Sequence, residues 1–351
     1  MKTFCLGVLS IGLLHAGSIT VIDLGGFGGA SGIGYRINDA GVVVGWAQTV
    51  AGDNHAFVTS GNGVLKDLNG STASESLAYG VNNTGSVVGT SYSGGQAHGT
   101  IWTSAGATDL GAGTYALDIN SSGQVAGGNG QAFLYSNGAT QSLGVLPTGN
   151  WSSAYAISDT GAVAGYGNVA GGSFRGFVWT SASGLQQLGT LGGNNSYAMA
   201  INNSGQVVGH ANVASGYDHA FVTSGKALVD LGTLGGVSSY AYGINTQGAI
   251  VGYSWLPGSS DQHAFLYYNG QMQDLNSLIP ASSGWVLQQA FGINDEGDIV
   301  GSGTFNGQTR AFLIDPIPLG APLSTPEPGT ITMLAAGLSA IILFRKGRMP
   351  S

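Results

Sequence analysis

The feature that most constrains this chain is a ten-residue element, written most cleanly as "GINTQGAIVG" at Gly243 to Gly252, that recurs along nearly its whole length. Its asparagine falls at Asn38, Asn82, Asn120, Asn202, Asn245 and Asn294, with Ser158 in the fourth copy, and the successive spacings are 44, 38, 38, 44, 43 and 49 residues. Seven copies at a mean near 43 residues match the ~40–45-residue, four-stranded blade of a β-propeller.

Each copy parses into strands on physical grounds. "SYAYGI" (Ser239 to Ile244) alternates in size and leads into Asn-x-x-Gly, where Asn bonds its own backbone and Gly takes the left-handed conformation of a tight hairpin. "AIVG" (Ala249 to Gly252), "HAFLYY" (His263 to Tyr268) and "QMQDL" (Gln271 to Leu275) supply the second, third and fourth strands. Composition agrees. Gly is 63 of 351 residues, charged residues are only 7% and hydrophobic residues 43%, which favours strands and turns with enough apolar material for a core.

The ends of the array predict how it closes. The seventh copy reaches "RAFLIDP" (Arg310 to Pro316) without a "DL" strand, whereas "ITVIDLGG" (Ile19 to Gly26) stands unmatched before the first copy. The expected fold is therefore all-β: a seven-bladed β-propeller over residues 17–316, closed by the N-terminal strand, which protects edges that would otherwise recruit other chains. An open stack of seven units accounts for neither the missing strand nor the extra one.

Aligning the third strands places His55, His98, Gln131, Arg175, His219, His263 and Arg310 in one register. Arg cannot ligate a metal, and neither Arg nor Gln acts as a base near neutral pH. A planar N–H donor repeated once per blade is the shared chemistry, so the histidines are expected to be structural, with no metal and no cofactor. The "DL" aspartates Asp23, Asp67, Asp109, Asp230 and Asp274, replaced elsewhere by Ser142 and Gln187, suit a turn or edge contact. "GAGTYA" (Gly111 to Ala116) precedes a strand rather than opening a helix and is read as an inter-blade loop, and "NDEGD" (Asn294 to Asp298) lacks a full calcium loop. No catalytic residue is identified.

Departures from the repeat carry more information. Just before the strand-one Ile or Val stand Gly80, Ala156, Ala200, Gly243 and Gly292, but Arg36 in the first copy and Asp118 in the third. These two either line the central channel or solvate its mouth. Loops after the second and fourth strands emerge on one face, which gathers Trp46, Trp151, Trp255 and Trp285 with Tyr92, Tyr166, Tyr217 and Tyr253. Two readings stand: a sugar-stacking face, since a ring offers apolar area at little entropic cost, or tryptophans packed beneath their own loops.

The termini carry targeting information. Lys2, the apolar run Phe4 to Leu14 and a small-residue cut after Ala16 read as a signal peptide over residues 1–16, and Cys5, the only cysteine, lies inside it. Between residues 17 and 316, 16 acidic residues face 5 basic ones, an acidic balance that makes nucleic acid a poor partner. A Pro-rich linker (317–325) leads to Pro326, Glu327 and Pro328, an apolar run at 330–344 and the basic residues Arg345, Lys346 and Arg348. As a helix that run spans about 22 Å against a ~30 Å hydrocarbon core, short but flanked by a basic stop that holds the C-terminus in the cytoplasm.

The order Pro-Glu-Pro, apolar segment, basic end over residues 326–351 resembles the PEP-CTERM sorting signal. The repeats, with "HAF" intact at His55 to Phe57, His219 to Phe221 and His263 to Phe265, resemble the extracellular HAF-repeat family. The first resemblance implies a Gram-negative host with an exopolysaccharide system and processing near Pro326 to Pro328 by a membrane exosortase. The second implies an exported protein. Together they lead to the expectation of a non-enzymatic protein of the cell surface or extracellular matrix, transiently anchored in the inner membrane, that binds or organises extracellular polysaccharide; the alternative is a propeller-type glycan lyase or hydrolase at the central channel.

Overall fold

The computed structural model describes residues 19–60, 63–69, 75–225 and 227–315. The signal segment 1–16, the linker 317–325 and residues 326–351, including the 330–344 span, the Pro-Glu-Pro motif and the basic stop, lie outside the described residues. Among those described, no helix is long and apolar enough to cross a membrane.

Twenty-eight strands form seven four-stranded antiparallel sheets, one per repeat. Six are built from consecutive strands. The seventh takes Trp285–Ile293, Ile299–Phe305 and Gln308–Ile314 from the last repeat and Val21–Asp23 from the N-terminus, in register Val21 to Ile314, Ile22 to Leu313 and Asp23 to Phe312. Closure by the N-terminal strand is therefore as the sequence predicts. Below, blades are numbered by repeat, and the strand that opens each repeat is its inner strand.

The core lies between blades rather than within one sheet. The Phe of the "HAF" element recurs as Phe57, Phe133, Phe177, Phe221, Phe265 and Phe312, all fully buried. Phe265 of blade 6, for example, packs on Ala200, Val208 and Leu231 of blade 5. Five of these seams are also stitched by a buried hydroxyl: Ser76, Thr114, Ser152, Ser196 and Ser239 each accept the N–H of Ala56, Gly99, Ala132, Gly176 and Ala220 in the preceding blade, at 2.8 to 3.0 Å. A backbone N–H held this way in a dry seam is satisfied where water cannot reach it.

The repeated asparagine does more than turn a hairpin. Its Oδ1 accepts backbone N–H groups of its own turn, as Asn245 does from Gln247 and Ala249, while its Nδ2 donates to the carbonyl of the equivalent residue in the next blade. Asn38 reaches Asn82, Asn82 reaches Asn120, Asn120 reaches Ser158, Asn202 reaches Asn245, Asn245 reaches Asn294, and Asn294 returns to Asn38, all at 2.9 to 3.1 Å. The belt breaks at Ser158, whose Oγ bonds Thr160 and Ala162 inside its own turn. The last link joins residues 256 positions apart, so the ring is closed at its inner rim as well as at its outer strand.

Every inner strand carries a β-bulge at the same place. The register to the second strand shifts between Gly34 and Arg36, Ala78 and Gly80, Ala116 and Asp118, Ala154 and Ala156, Ala198 and Ala200, Ala241 and Gly243, and Ala290 and Gly292. Tyr35, Tyr79, Leu117, Tyr155, Met199, Tyr242 and Phe291 are thus the unmatched residues, and a bulge re-aims the side chain it carries. Opposite each bulge the second strand must have glycine. A Cβ at Gly209 or Gly252 would overlap the carbonyl oxygen of Tyr197 or Tyr240, and the other five blades show the same approach.

Candidate functional site at the channel mouth

The seven bulged residues converge on the axis. Together with Arg36, Tyr115, Trp151 and Ser153 they line a cavity of about 420 Å³ on the face where the inner strands begin. That face also carries the loops after the second and fourth strands. The volume falls within the range of small-molecule sites, and the wall is apolar and aromatic with a few polar tips, the composition such sites share.

Ring contacts brace the wall. Tyr79 and Tyr35 lie 5.4 Å apart, Tyr35 and Phe291 5.3 Å, and Phe291 and Tyr242 5.4 Å between centroids. From Tyr242 the series runs outward through Tyr253, Tyr240, His210, Tyr197 and Tyr166 and returns to the channel at Tyr155, with the last four contacts each between 4.6 and 4.8 Å. Only blade 3, with Leu117 at the bulge, stays out of it. Burial pushes the hydroxyls of Tyr35, Tyr79, Tyr155 and Tyr242 above the usual phenol range.

Arg36 and Asp118 both line pockets on the axis. Arg36 Nη1 donates to the carbonyls of Tyr242 at 2.9 Å and Phe291 at 3.1 Å, crossing from blade 1 to blades 6 and 7, and the side chain borders both the aromatic cavity and a second, polar pocket on the turn side. Asp118 faces only that second pocket, with Oδ2 accepting the Ile157 N–H at 2.9 Å. Burial raises its carboxyl above the ordinary range, and the Arg36 guanidinium and two backbone N–H groups pull it partly back. Asp39, Asp159 and Asp295 at the turn-side mouth are held by Asn83, Asn203 and backbone N–H groups of neighbouring turns.

The tryptophans divide. Trp151 lines the cavity and packs on Tyr166 and Phe174. Trp46 stands behind the wall and donates its indole N–H to the Tyr35 hydroxyl at 3.3 Å. Trp285 is buried, stacked on Phe305 and edge-on to Phe312, so it supports its own blade and offers nothing to a ligand. Trp255 ends a second strand with its indole nitrogen buried away from the channel cavity. Of the tyrosines that the sequence grouped with them, Tyr166 and Tyr253 belong to the bracing series, and Tyr217 is exposed on its loop.

The histidines sit far out, between the third and fourth strands. His55, His98, His219 and His263 each place Nδ1 against the "DL" aspartate of their own blade: Asp67 at 2.8 Å, Asp109 at 2.9 Å, Asp230 at 2.9 Å and Asp274 at 2.6 Å. The other oxygen of each carboxylate accepts a backbone N–H two residues on, as Asp67 does from Asn69 and Asp230 from Gly232. Each pair thus ties the third strand to the turn that leaves the fourth. In blade 3 Ser142 and Gln131 make the equivalent bond at 2.7 Å, and in blade 4 Arg175 instead donates to the carbonyls of Phe174 and Asn194. The imidazoles do not converge, and among the described residues no cluster of His, Cys, Asp and Glu is placed to hold a metal ion.

No family model and no curated protein matches the sequence. Solved structures do. The chain is similar to YCF48 bound to a D1 peptide, at 11% identity over 87% of this chain and 97% of that one with a TM-score of 0.52. It is also similar to a gluconolactonase from Xanthomonas campestris, at 11% identity over 86% and 90% of the two chains with a TM-score of 0.47. A third likeness is to a variant of the Aleuria aurantia lectin in complex with Fucα1-6GlcNAc, at 12% identity over 84% and 98% with a TM-score of 0.39. What is shared at such identities is the fold alone, and one fold serves many functions.

Two parts of the site were not found from the sequence. The bulged tyrosines had a signal, a large residue preceded by a small one in "GYR", "AYG", "AYA" and "AYG" just upstream of the repeated asparagine or its Ser158 counterpart. His210 had none. It occupies an ordinary second-strand position, yet both ring nitrogens are buried without a partner and its ring lies 4.6 Å from Tyr197 and 4.8 Å from Tyr240. Burial lowers its pKa to about 3.

Proposed function

We propose that this chain is an exported, non-enzymatic surface protein that binds extracellular polysaccharide by taking a sugar chain end into the channel-mouth cavity. The observation that carries this reading is the ring of seven bulged side chains, five of them aromatic, around a cavity that Arg36 also lines. Aromatic faces stack on the C–H faces of sugars, and protonated phenols supply donors to sugar hydroxyls. A cavity of about 420 Å³ suits the terminal ring of a chain better than the flank of a polymer. The cavity wall carries no carboxylate and Asp118 lines the other pocket, which favours binding over a hydrolase that works with a carboxyl pair. The N-terminal and C-terminal sequence signals add export, exosortase processing near Pro326 to Pro328 and an address at the cell envelope or matrix to the same proposal.

A glycan array probed with the purified full chain, followed by titration of the best ligands, tests it. Trp151→Ala is expected to weaken binding by about ten-fold or more, because an aromatic anchor at the rim of a desolvated site is the residue type whose truncation costs most. Failure of every glycan to bind removes the reading.

A further inference from the structure

The cavity wall contains no Asp or Glu; its one charged side chain is Arg36. That is unexpected in a chain of net charge −8, at a repeat position that is otherwise Gly or Ala except for Asp118. The guanidinium is also fixed rather than free. Nη1 is held by two backbone carbonyls from two other blades, so the group is fixed in the cavity wall. Among the described residues Nε and Nη2 have no protein acceptor, and no carboxylate stands within ion-pair distance, since the four ion pairs found there all join a histidine to an aspartate of its own blade. Asp118 is near enough for the guanidinium to lower its pKa but forms no ion pair with Arg36: its Oδ2 accepts the Ile157 N–H and it faces the turn-side pocket.

A part-buried cation in an aromatic pocket, with two donor positions unused, has the chemistry that receives a planar anion. From this we infer that the cavity selects a sugar bearing a carboxylate, a uronic acid at the chain end, with Arg36 receiving the carboxylate and the aromatic ring enclosing the pyranose. This rests on the glycan-binding reading above and narrows it to acidic sugars. Carbonyl-bound Nη1 sets the orientation of the guanidinium, and the opposite edge makes the new contacts. Trp151 and Tyr115, at the open side of the wall, meet the sugar face.

The test compares oligosaccharides that differ only at the terminal ring: glucuronate, its methyl ester and glucose, titrated calorimetrically into the full chain. The acid is expected to bind at least about ten-fold more tightly than the ester or the neutral sugar, the size of effect a charge-assisted bidentate contact gives, and added salt is expected to narrow the gap. Arg36→Gln, which keeps an amide donor for the carbonyls, is expected to bring the acid-to-neutral affinity ratio close to one. The ester comparison needs no variant, so the inference stays testable if that substitution prevents folding. Equal affinity for acid, ester and neutral sugar overturns the charge selection and leaves glycan binding standing. An acid preference that survives Arg36→Gln overturns the role of Arg36. Absence of binding to all three, with none on the array, overturns both readings together.

Discussion

Deletion of residues 19–24 is expected to turn a monomer into soluble oligomers and to lower the melting temperature by about 10 °C. Three losses combine. The strand Val21–Asp23 vanishes from the seventh blade, leaving the outer edge of Gln308–Ile314 with unpaired N–H and C=O groups, and such an edge templates pairing with another chain. Leu24, only 5% exposed, leaves the seam where it packs with Ile37, Val43, Phe57, Val300 and Ala311, and its N–H no longer reaches the Ala311 carbonyl. Truncating a buried leucine alone costs about 2–5 kcal/mol. The ring is then held at the junction of blades 7 and 1 mainly by the Asn294 to Asn38 bond and the remaining seam contacts. Size-exclusion chromatography with light scattering reads the result, and an unaffected monomer of unchanged stability is incompatible with closure by this strand.

Acid is expected to destabilise the protein through His210, and His210→Phe is expected to remove much of that sensitivity. Buried between Tyr197 and Tyr240 with no partner, the imidazole stays neutral down to about pH 3, against an ordinary value of 6.5 when the chain is unfolded. Because the folded pKa is the lower one, the unfolded chain binds more protons between those two values. The contribution is therefore fully present above pH 6.5 and is lost as pH falls toward 3, at up to about 1.4 kcal/mol per pH unit. Asp159, held below the carboxylate range by hydrogen bonds from Ser121 and Asn203, adds to the loss at lower pH. Asp118 and Asp218, raised by burial, act in the opposite direction. Comparison of wild type with His210→Phe isolates the imidazole. The variant is expected to match or slightly exceed the wild type at pH 7.5, since it removes two unsatisfied nitrogens, and to exceed it by about 2–3 kcal/mol at pH 4.5 in urea denaturation. Parallel stability curves for the two proteins refute the assignment.

What was legible in the sequence is what repeats. Asn-x-x-Gly, "HAF" and "DL" recur because each blade solves the same backbone problem, and the orphan Ile19 to Gly26 had one gap to fill. The sequence placed Gln131 in the histidine register and Ser142 in the aspartate register, but that the two registers pair is seen only in the structure. The channel was harder to read. A bulge inserts one residue into a strand whose pattern is otherwise period two, so the sequence points to the residue before the final Ile or Val, whereas the fuller lining comes from the residue ahead of it. Arg36 and Asp118 reach the axial pockets for a related reason: they follow the bulge and replace Gly or Ala at a crowded position. Residue type and face singled out four tryptophans, but only Trp151 reaches the cavity, because depth along a loop depends on packing partners such as Phe305 beneath Trp285. His210 could not be anticipated, since its burial is made by tyrosines from two different blades.

One comparison separates architecture from binding most directly: sugar affinity and melting temperature measured side by side for two variants. In the first, His55, His98, His219 and His263 are all replaced by alanine; in the second, Trp151 and Tyr155 are. The His–Asp pairs have carboxylates up to 60% exposed, so each contributes no more than about 0.5–1 kcal/mol and their joint loss lowers the melting temperature by several degrees. The account predicts that the histidine variant binds sugar within about two-fold of wild type, while the channel variant stays folded and loses binding by at least about ten-fold. A folded histidine variant that no longer binds, beside a channel variant that still does, contradicts it.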